Sequence, residues 1–471
     1  WTDSLRRSIL LDSKADLWVF GMGETALASI ARVAEDAVCD AGAEGKSVRA
    51  LLAERSRSIP GLAYAISSRD SERLLPADAA FLPSHERIAA DPFLLVTATV
   101  AMERQVHQAR VPAAQASGDR TVVMNPPSPP LATDAMDALY ALPYTRLPHP
   151  SYEEPIPAWE MIRASITSHR GCGGGCAFCS LALHQTRRIA SRGRRSILDE
   201  ARRIAATRVR GKVPAWAGSI SDVGGPSANM WQAACTGDAA GCERASCLFP
   251  GICPFFSVDQ AKGAAMLREV SRQEGVRHVR VASGVRFDLA LKDDEALKAY
   301  TREFTGGQLK IAPEHIAEDV LRLMRKPALP VFEAFLRRFE RLSDAAGKEQ
   351  YVVPYLMSAY PGCTDADMRE LAVWLKKRNW SPRQVQCFIP TPGTVATAMY
   401  YAGKDTKGAC IPVARTDAER MRQHYILLGR ERDREGGRTD GTPAKPHEKR
   451  TPSRHGDRVG KFGDSRRKGK A

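Results

Sequence analysis

Arg170-Gly-Cys-Gly-Gly-Gly-Cys-Ala-Phe-Cys179 places Cys172, Cys176 and Cys179 in a C-x3-C-x2-C pattern. Three thiolates on so short a loop can hold three irons of a cubane 4Fe–4S cluster and leave the fourth iron without a protein ligand. Clusters are normally held by four cysteines, so an open iron points to binding of a small molecule rather than to electron transfer alone. A chain that wraps a cluster must aim backbone N–H groups inward, and Gly171, Gly173, Gly174 and Gly175 permit the torsions and close approach this needs. A structural zinc site wants four ligands in two spaced pairs, which an x3-x2 triplet serves poorly.

Outward from this loop, strands and helices alternate. A strand near Arg163–Ser168 precedes it and a helix over 196–208 follows. The strand Val213–Ile220 ends in Asp222-Val-Gly-Gly225, Arg277–Ala282 in Ser283-Gly284, and Gln308–Ile311 in Ala312-Pro-Glu-His315. Gln350–Met357 ends in Tyr360-Pro-Gly362 and Gln384–Ile389 in Pro390-Thr-Pro-Gly393. Such alternation predicts parallel strands with right-handed crossovers. Six units suit an open (β/α)6 barrel, with the chemistry at the C-terminal strand ends.

Three-cysteine ligation with this spacing resembles the radical S-adenosylmethionine (SAM) enzymes. The resemblance implies a 4Fe–4S cluster whose open iron takes the amino and carboxylate groups of SAM. It also implies reductive cleavage of SAM to a 5′-deoxyadenosyl radical, and it puts Phe178 beside the adenine. Ile220-Ser-Asp-Val-Gly-Gly-Pro-Ser-Ala-Asn-Met230, Ala282-Ser-Gly-Val-Arg-Phe-Asp288, Leu309-Lys-Ile-Ala-Pro-Glu-His315 and Ala398-Met-Tyr-Tyr-Ala-Gly403 are similar to the YgiQ-type radical SAM proteins, from about Ser4 to about Pro412. The fold expected is therefore α/β: a partial (β/α)6 radical SAM barrel at 151–400, preceded at 1–150 by the remnant of an α/β N-terminal domain and a connector. A helical extension at 401–429 and a disordered basic tail at 430–471 complete the chain. A chain that opens Trp1-Thr-Asp-Ser without Met reads as an N-terminally truncated fragment.

Asp222, Gly224 and Gly225 lie where related enzymes carry a Gly-Gly-acid motif that meets the SAM amino group. Here the acid precedes the glycines, and a tight turn with an Asx hydrogen bond is an equal reading. Glu314 with His315, and Arg286 with Asp288, are further polar groups at strand ends. Cys235, Cys242, Cys247 and Cys253 form a second group just after a core strand, suited to an auxiliary iron–sulfur cluster or to zinc. Arg187, Arg188, Arg192, Arg194 and Arg195 follow the first loop; they attract an anion or form a solvated loop and first helical turn. Near the N-terminus, Asp16–Phe20 reads as a strand, and Gly21-Met-Gly-Glu24 turns into a helix through Val38. This is one strand–turn–helix unit, in which the lone G-x-G is weak evidence of nucleotide binding.

The 471 residues suffice for two or three domains, and no apolar run approaches the ~18 residues that a membrane helix needs. Eleven cysteines without an export signal predict a reducing, cytoplasmic setting and metal ligation; Cys39, Cys363, Cys387 and Cys410 are isolated and read as buried residues. Of the net charge of +15, residues 430–471 carry 14 Lys/Arg against 7 Asp/Glu. With few apolar residues that tail cannot bury a core, and it suits a contact with RNA as well as plain solvation. The expected partners are a reductant protein such as flavodoxin or ferredoxin, and RNA through the tail. The rival function is a non-catalytic, metal-binding, RNA-associated protein.

Overall fold

A computed structural model describes residues 4–207, 216–382 and 385–429. The tail at 430–471, and with it the expected disorder and RNA contact, lies outside the described residues, as does part of the strand expected at 213–220.

The N-terminal third builds a five-stranded sheet from β1 (Leu17–Val19), β2 (Leu62–Ser67), β3 (Ala80–Phe81), β4 (Ala113–Ser117) and β5 (Arg120–Met124), in the order β1-β2-β5-β4-β3. Four residues of β2 and three of β5 are buried, so the sheet's centre is its apolar part. The expected strand–turn–helix unit is present as β1 followed by the helix Glu24–Glu44, but β1 pairs antiparallel with β2 and β2 antiparallel with β5. The sheet is mixed, since β3 pairs parallel with β4 while the other pairs are antiparallel, and most of it comes from 62–124. The helix Phe93–Gln108 leaves this region and packs on the helix Val395–Ala402.

The core strands follow. β6 (Ser165–Thr167) enters the cysteine loop through β7 (His169–Arg170), which pairs antiparallel with β8 (Ala190–Ser191). The second core strand is divided: β9 (Ser219–Ile220) pairs parallel with a later strand, and β10 (Asp222–Gly224) pairs parallel with β6. A short ribbon of β11 (Ala234–Cys235) and β12 (Phe256–Ser257) intervenes before β13 (His278–Val279), the parallel partner of β9. β14 (Gln308–Glu314), β15 (Tyr351–Ser358) and β16 (Gln386–Cys387) form a second parallel group. All six expected core strands exist, most of them shorter than the sequence implies.

Helices cover these strands because their apolar residues recur at helical spacing. In Leu329–Asp344, Phe332, Phe335, Leu336, Phe339 and Leu342 are buried on one face. Phe287 meets Phe332 and Phe335 with ring centroids 5.4 and 6.2 Å away. Capping boxes set the starts of two later helices: Thr364 with Asp367 for Asp365–Lys377, and Thr416 with Glu419 for Asp417–Leu427. No helix among the described residues is long and apolar enough to cross a membrane.

Candidate metal centre

The first cysteine loop is pinned at both ends by backbone bonds. Cys172 N–H donates to Thr186 O at 3.2 Å, and Ala177 N–H donates to Met324 O at 3.1 Å. Ala177 O in turn accepts from Ala396 N–H at 2.9 Å, so the loop bridges the β8 side and the helices after β14 and β16. Gly171 has φ +93°, and a Cβ there would lie 2.5 Å from Arg188 O; no L side chain fits.

Gly174 lies against two of the three sulfurs. A Cβ on it would meet Cys172 Sγ at 3.2 Å, Arg286 Nη1 at 3.5 Å and Cys176 Sγ at 3.6 Å. Its own N–H points to Cys172 Sγ at 3.4 Å, and Arg286 Nη1 lies 3.8 Å from Cys176 Sγ. Burial pushes the Cys172 thiol up and Cys179 up to about 11, while Arg286 and Lys326 pull Cys172 back. Ligation must therefore displace protons from these thiols, which a ferric or ferrous ion does readily.

Two buried cations face the thiols. Burial alone would favour a neutral Arg286, but Asp288 and the Cys176 sulfur outweigh it and keep the guanidinium charged. Asp288 clamps it in two bonds of 2.7 and 3.0 Å, and Asn229 fixes its backbone by accepting from Arg286 N–H at 2.8 Å and donating to Arg286 O at 3.0 Å. Lys326 is the second cation: Nζ donates to Ala312 O at 2.9 Å, lies 3.4 Å from Glu314 Oε1 and sits 5.6 Å from the Phe178 ring centre. Glu314 reaches this position at the end of β14 with φ +70°, unusual for a residue with a side chain and typical of functional strand ends. Phe178 rests edge-on against Tyr360, with centroids 6.2 Å apart. The donor set, three thiols of one loop under two buried cations, fits a cluster with three protein ligands.

Sequence reasoning named Arg286, Asp288 and Glu314, and missed Lys326. A lysine after Arg325 at a helix end carries no signal of burial. His315 is not brought to the sulfurs. Its Nδ1 accepts from Ala317 N–H at 3.0 Å and its Nε2 faces Cys363 Sγ at 3.6 Å, so its role is structural.

Asp222 Oδ1 accepts from both N–H and Oγ of Ser283, at 2.9 and 3.0 Å, which ties β10 to the turn after β13. A Cβ on Gly224 would collide with Ser283 Oγ, and one on Gly225 would lie 2.6 Å from His169 O. These three residues thus join strand ends, in the manner of the turn reading, although the bond reaches the next strand instead of the Asp222 backbone.

The arginine run divides. Arg192 is fully buried, with Nη1 donating to Thr167 O at 2.9 Å, an ion pair to Glu200 and the Tyr140 ring 4.1 Å away. Arg187 is buried too, whereas Arg195 is solvated, so the reading of one solvated run is corrected. Of the isolated cysteines, Cys363 is buried as expected, but Cys39 and Cys410 are exposed and Cys387 is half-buried.

Residues 1–165 match the family described as Radical SAM N-terminal, and 383–433 match a domain of unknown function, DUF3362. A UPF0313 protein of Geobacter sulfurreducens is 44% identical over 434 residues, covering 91% of this chain and 68% of that protein. One from Rhodopseudomonas palustris is 39% identical, covering 91% and 64%. UPF0313 protein YgiQ of Salmonella typhimurium is 37% identical, covering 91% and 65%. The chain thus spans roughly two thirds of the length of these relatives. Among solved structures, the radical SAM methyltransferase TsrM of Kitasatospora setae aligns with a TM-score of 0.40 at 13% identity, over 84% of this chain and 57% of that one.

Proposed function

The chain belongs to the UPF0313 family, which includes YgiQ, and from that premise we propose that it is a radical SAM enzyme. In this reading Cys172, Cys176 and Cys179 hold a 4Fe–4S cluster and SAM takes the fourth iron. The observation that carries it is the charge around the thiols of this one loop, with Arg286 3.8 Å from Cys176 Sγ and Lys326 pulling on Cys172 and Cys179. Bound there, a reduced cluster supplies the electron that cleaves SAM to methionine and a 5′-deoxyadenosyl radical.

The chain's own residues do the rest. Arg286 and Lys326 offset the negative charge of the ligating thiolates, and Gly174 N–H steadies Cys172. Phe178, held by Tyr360, would offer its backbone to the SAM adenine, as the resemblance implies. The six core strands form a partial (β/α)6 barrel, so that substrate enters over the ends marked by Gly224, Glu314 and Ser358. Asp222, accepting from Ser283, ties β10 to the turn after β13 at this end of the strands. A flavodoxin- or ferredoxin-type protein delivers the electron.

The test is anaerobic reconstitution followed by reduction in the presence of SAM. Formation of 5′-deoxyadenosine that is abolished by Cys172→Ala, Cys176→Ala and Cys179→Ala individually is the expected outcome. Undiminished product from any of the three variants would sink the assignment of these ligands.

A further inference from the structure

The arginine run after the first cysteine loop borders a cavity. Thr186 and Arg188 line a space of about 420 Å³, together with His107, Gln108 and Arg110 at the end of the helix Phe93–Gln108. Pro60, Pro126, Pro127, Pro129 and Pro130 supply much of the remaining wall, which is largely apolar. Small-molecule sites typically span about 300–1,000 Å³.

The walls are tied to one another. Thr186 O accepts from Cys172 N–H at 3.2 Å, so one wall also mounts the first cysteine loop. Ala240, from the loop between β11 and β12, lines the cavity as well, and Gln108 Nε2 donates to Cys242 O at 3.1 Å. Within that loop Cys247 and Cys253 are buried, Cys242 is half-buried and Cys235 is exposed.

The charge of the lining is one-sided. Two guanidinium groups and an imidazole border the space, and among the described residues no Asp or Glu does. The side chains of His107, Arg110 and Arg188 make no hydrogen bond or ion pair to any described residue. His107 is 6% exposed, and its Nδ1 is sealed from water without a partner. Arg187, between Thr186 and Arg188 in the chain, is also 6% exposed, with Nη1 in the same state. The carboxylates in the vicinity are engaged: Glu103 is taken by Arg325 at 2.6 Å, and Glu243 pairs with Arg104 at 3.1 Å.

Buried donors without acceptors and buried cations without anions are both costly. Arg110 follows a helix C-terminus, where a cation is favoured in any case. Arg187 and Arg188 stand in a loop and have no such reason. Burial and the charges of Arg187 and Arg188 hold His107 at about 4, so near neutral pH the uncharged ring offers one N–H. Two guanidinium groups and an N–H match the several oxygens of a phosphate, which a guanidinium can bind through two bonds. The volume leaves room beyond the phosphate, and the proline faces suit an apolar body.

We propose that this cavity binds an organic phosphate, with Arg110, Arg188 and His107 on the phosphate and the apolar part against the prolines. Arg187 contributes charge and is not a ligand. The site is separate from the thiols of the first loop, and its readout is binding, which does not depend on SAM cleavage.

Phenyl phosphate is the probe, titrated calorimetrically into the full chain in phosphate-free buffer. It should bind more tightly than inorganic phosphate, and phenol should not bind. Arg188→Gln and Arg110→Gln, at half-buried and exposed positions, should each weaken phenyl phosphate at least about tenfold with an unchanged melting curve. Arg195→Gln removes the same charge from a solvated side chain and should leave the affinity as it was. Absence of phenyl phosphate binding up to about 10 mM overturns the proposal. So does binding no tighter than that of inorganic phosphate, or binding that Arg195→Gln weakens as much as Arg188→Gln, which marks a general attraction to a basic surface.

Discussion

Arg286 is the residue on which the first centre most depends for charge, and its replacement separates folding from metal binding. Arg286 and Asp288 are 9% and 7% exposed and share two short bonds. Arg286→Met leaves a buried carboxylate unpaired, a change that typically costs about 3–5 kcal/mol. Leu289 N–H still donates to Asp288 Oδ1 at 3.0 Å, which places the expected loss near the lower end, at about 3 kcal/mol. The double variant Arg286→Met/Asp288→Asn removes the stranded charge, keeps the Leu289 contact and should recover to within about 1 kcal/mol of the parent. It still lacks the cation 3.8 Å from Cys176 Sγ. A hydrogen bond involving a charged group is worth about 1.5–3 kcal/mol, so cluster retention should fall roughly 10- to 100-fold. Urea unfolding of the metal-free protein reads the first quantity. Iron release to a chelator, compared with the parent, reads the second. A single variant within about 1 kcal/mol of the parent would refute the buried-pair argument. A double variant that holds iron as long as the parent would refute the role assigned to the guanidinium.

Gly225→Ala forces a Cβ to within 2.6 Å of His169 O, and backbone cannot yield as a side chain can; it should lower stability by about 2–3 kcal/mol, measured by urea unfolding. Burial depresses His107, His169 and His315 to about 4 from an ordinary value near 6.5. Their contribution is fully present above pH 6.5 and is lost as pH falls toward 4, because the unfolded chain takes up the protons first. Each imidazole is worth up to about 3 kcal/mol over that window. Unfolding midpoints should be flat from pH 7 to 8 and decline between pH 6.5 and 4; a decline on the alkaline side instead would contradict this. Lys326→Met strands Glu314 in the same way and should be partly rescued by Glu314→Gln, checked by a double-mutant cycle of unfolding free energies.

The legible parts of this chain are those written in local chemistry. The C-x3-C-x2-C loop needed no tertiary knowledge, and the Gly- and Pro-marked strand ends placed all six core strands in order. The N-terminal sheet was not legible because its strands have weak signatures of their own. Ala113-Ala-Gln-Ala-Ser117 is composed of poor strand formers and is a strand because Ala113 to Ser117 pair with Met124 to Arg120. Arg192 looked solvated because its partners, Tyr140 and Glu200, stand 52 positions before and 8 after it. Lys326 escaped for the same reason: a buried lysine is defined by Glu314 and the Ala312 carbonyl, which only the fold brings to it. Asp222 opens β10, and its bond to Ser283 crosses 61 residues and left no trace in local sequence.

The central claim is that the iron not held by Cys172, Cys176 and Cys179 binds SAM. Electron paramagnetic resonance of the reduced, cluster-replete protein, recorded with and without SAM, tests it most directly. The account predicts that SAM shifts the cluster spectrum and that methionine and 5′-deoxyadenosine then form in equal amounts. A spectrum unchanged by saturating SAM, with no 5′-deoxyadenosine formed, would contradict it.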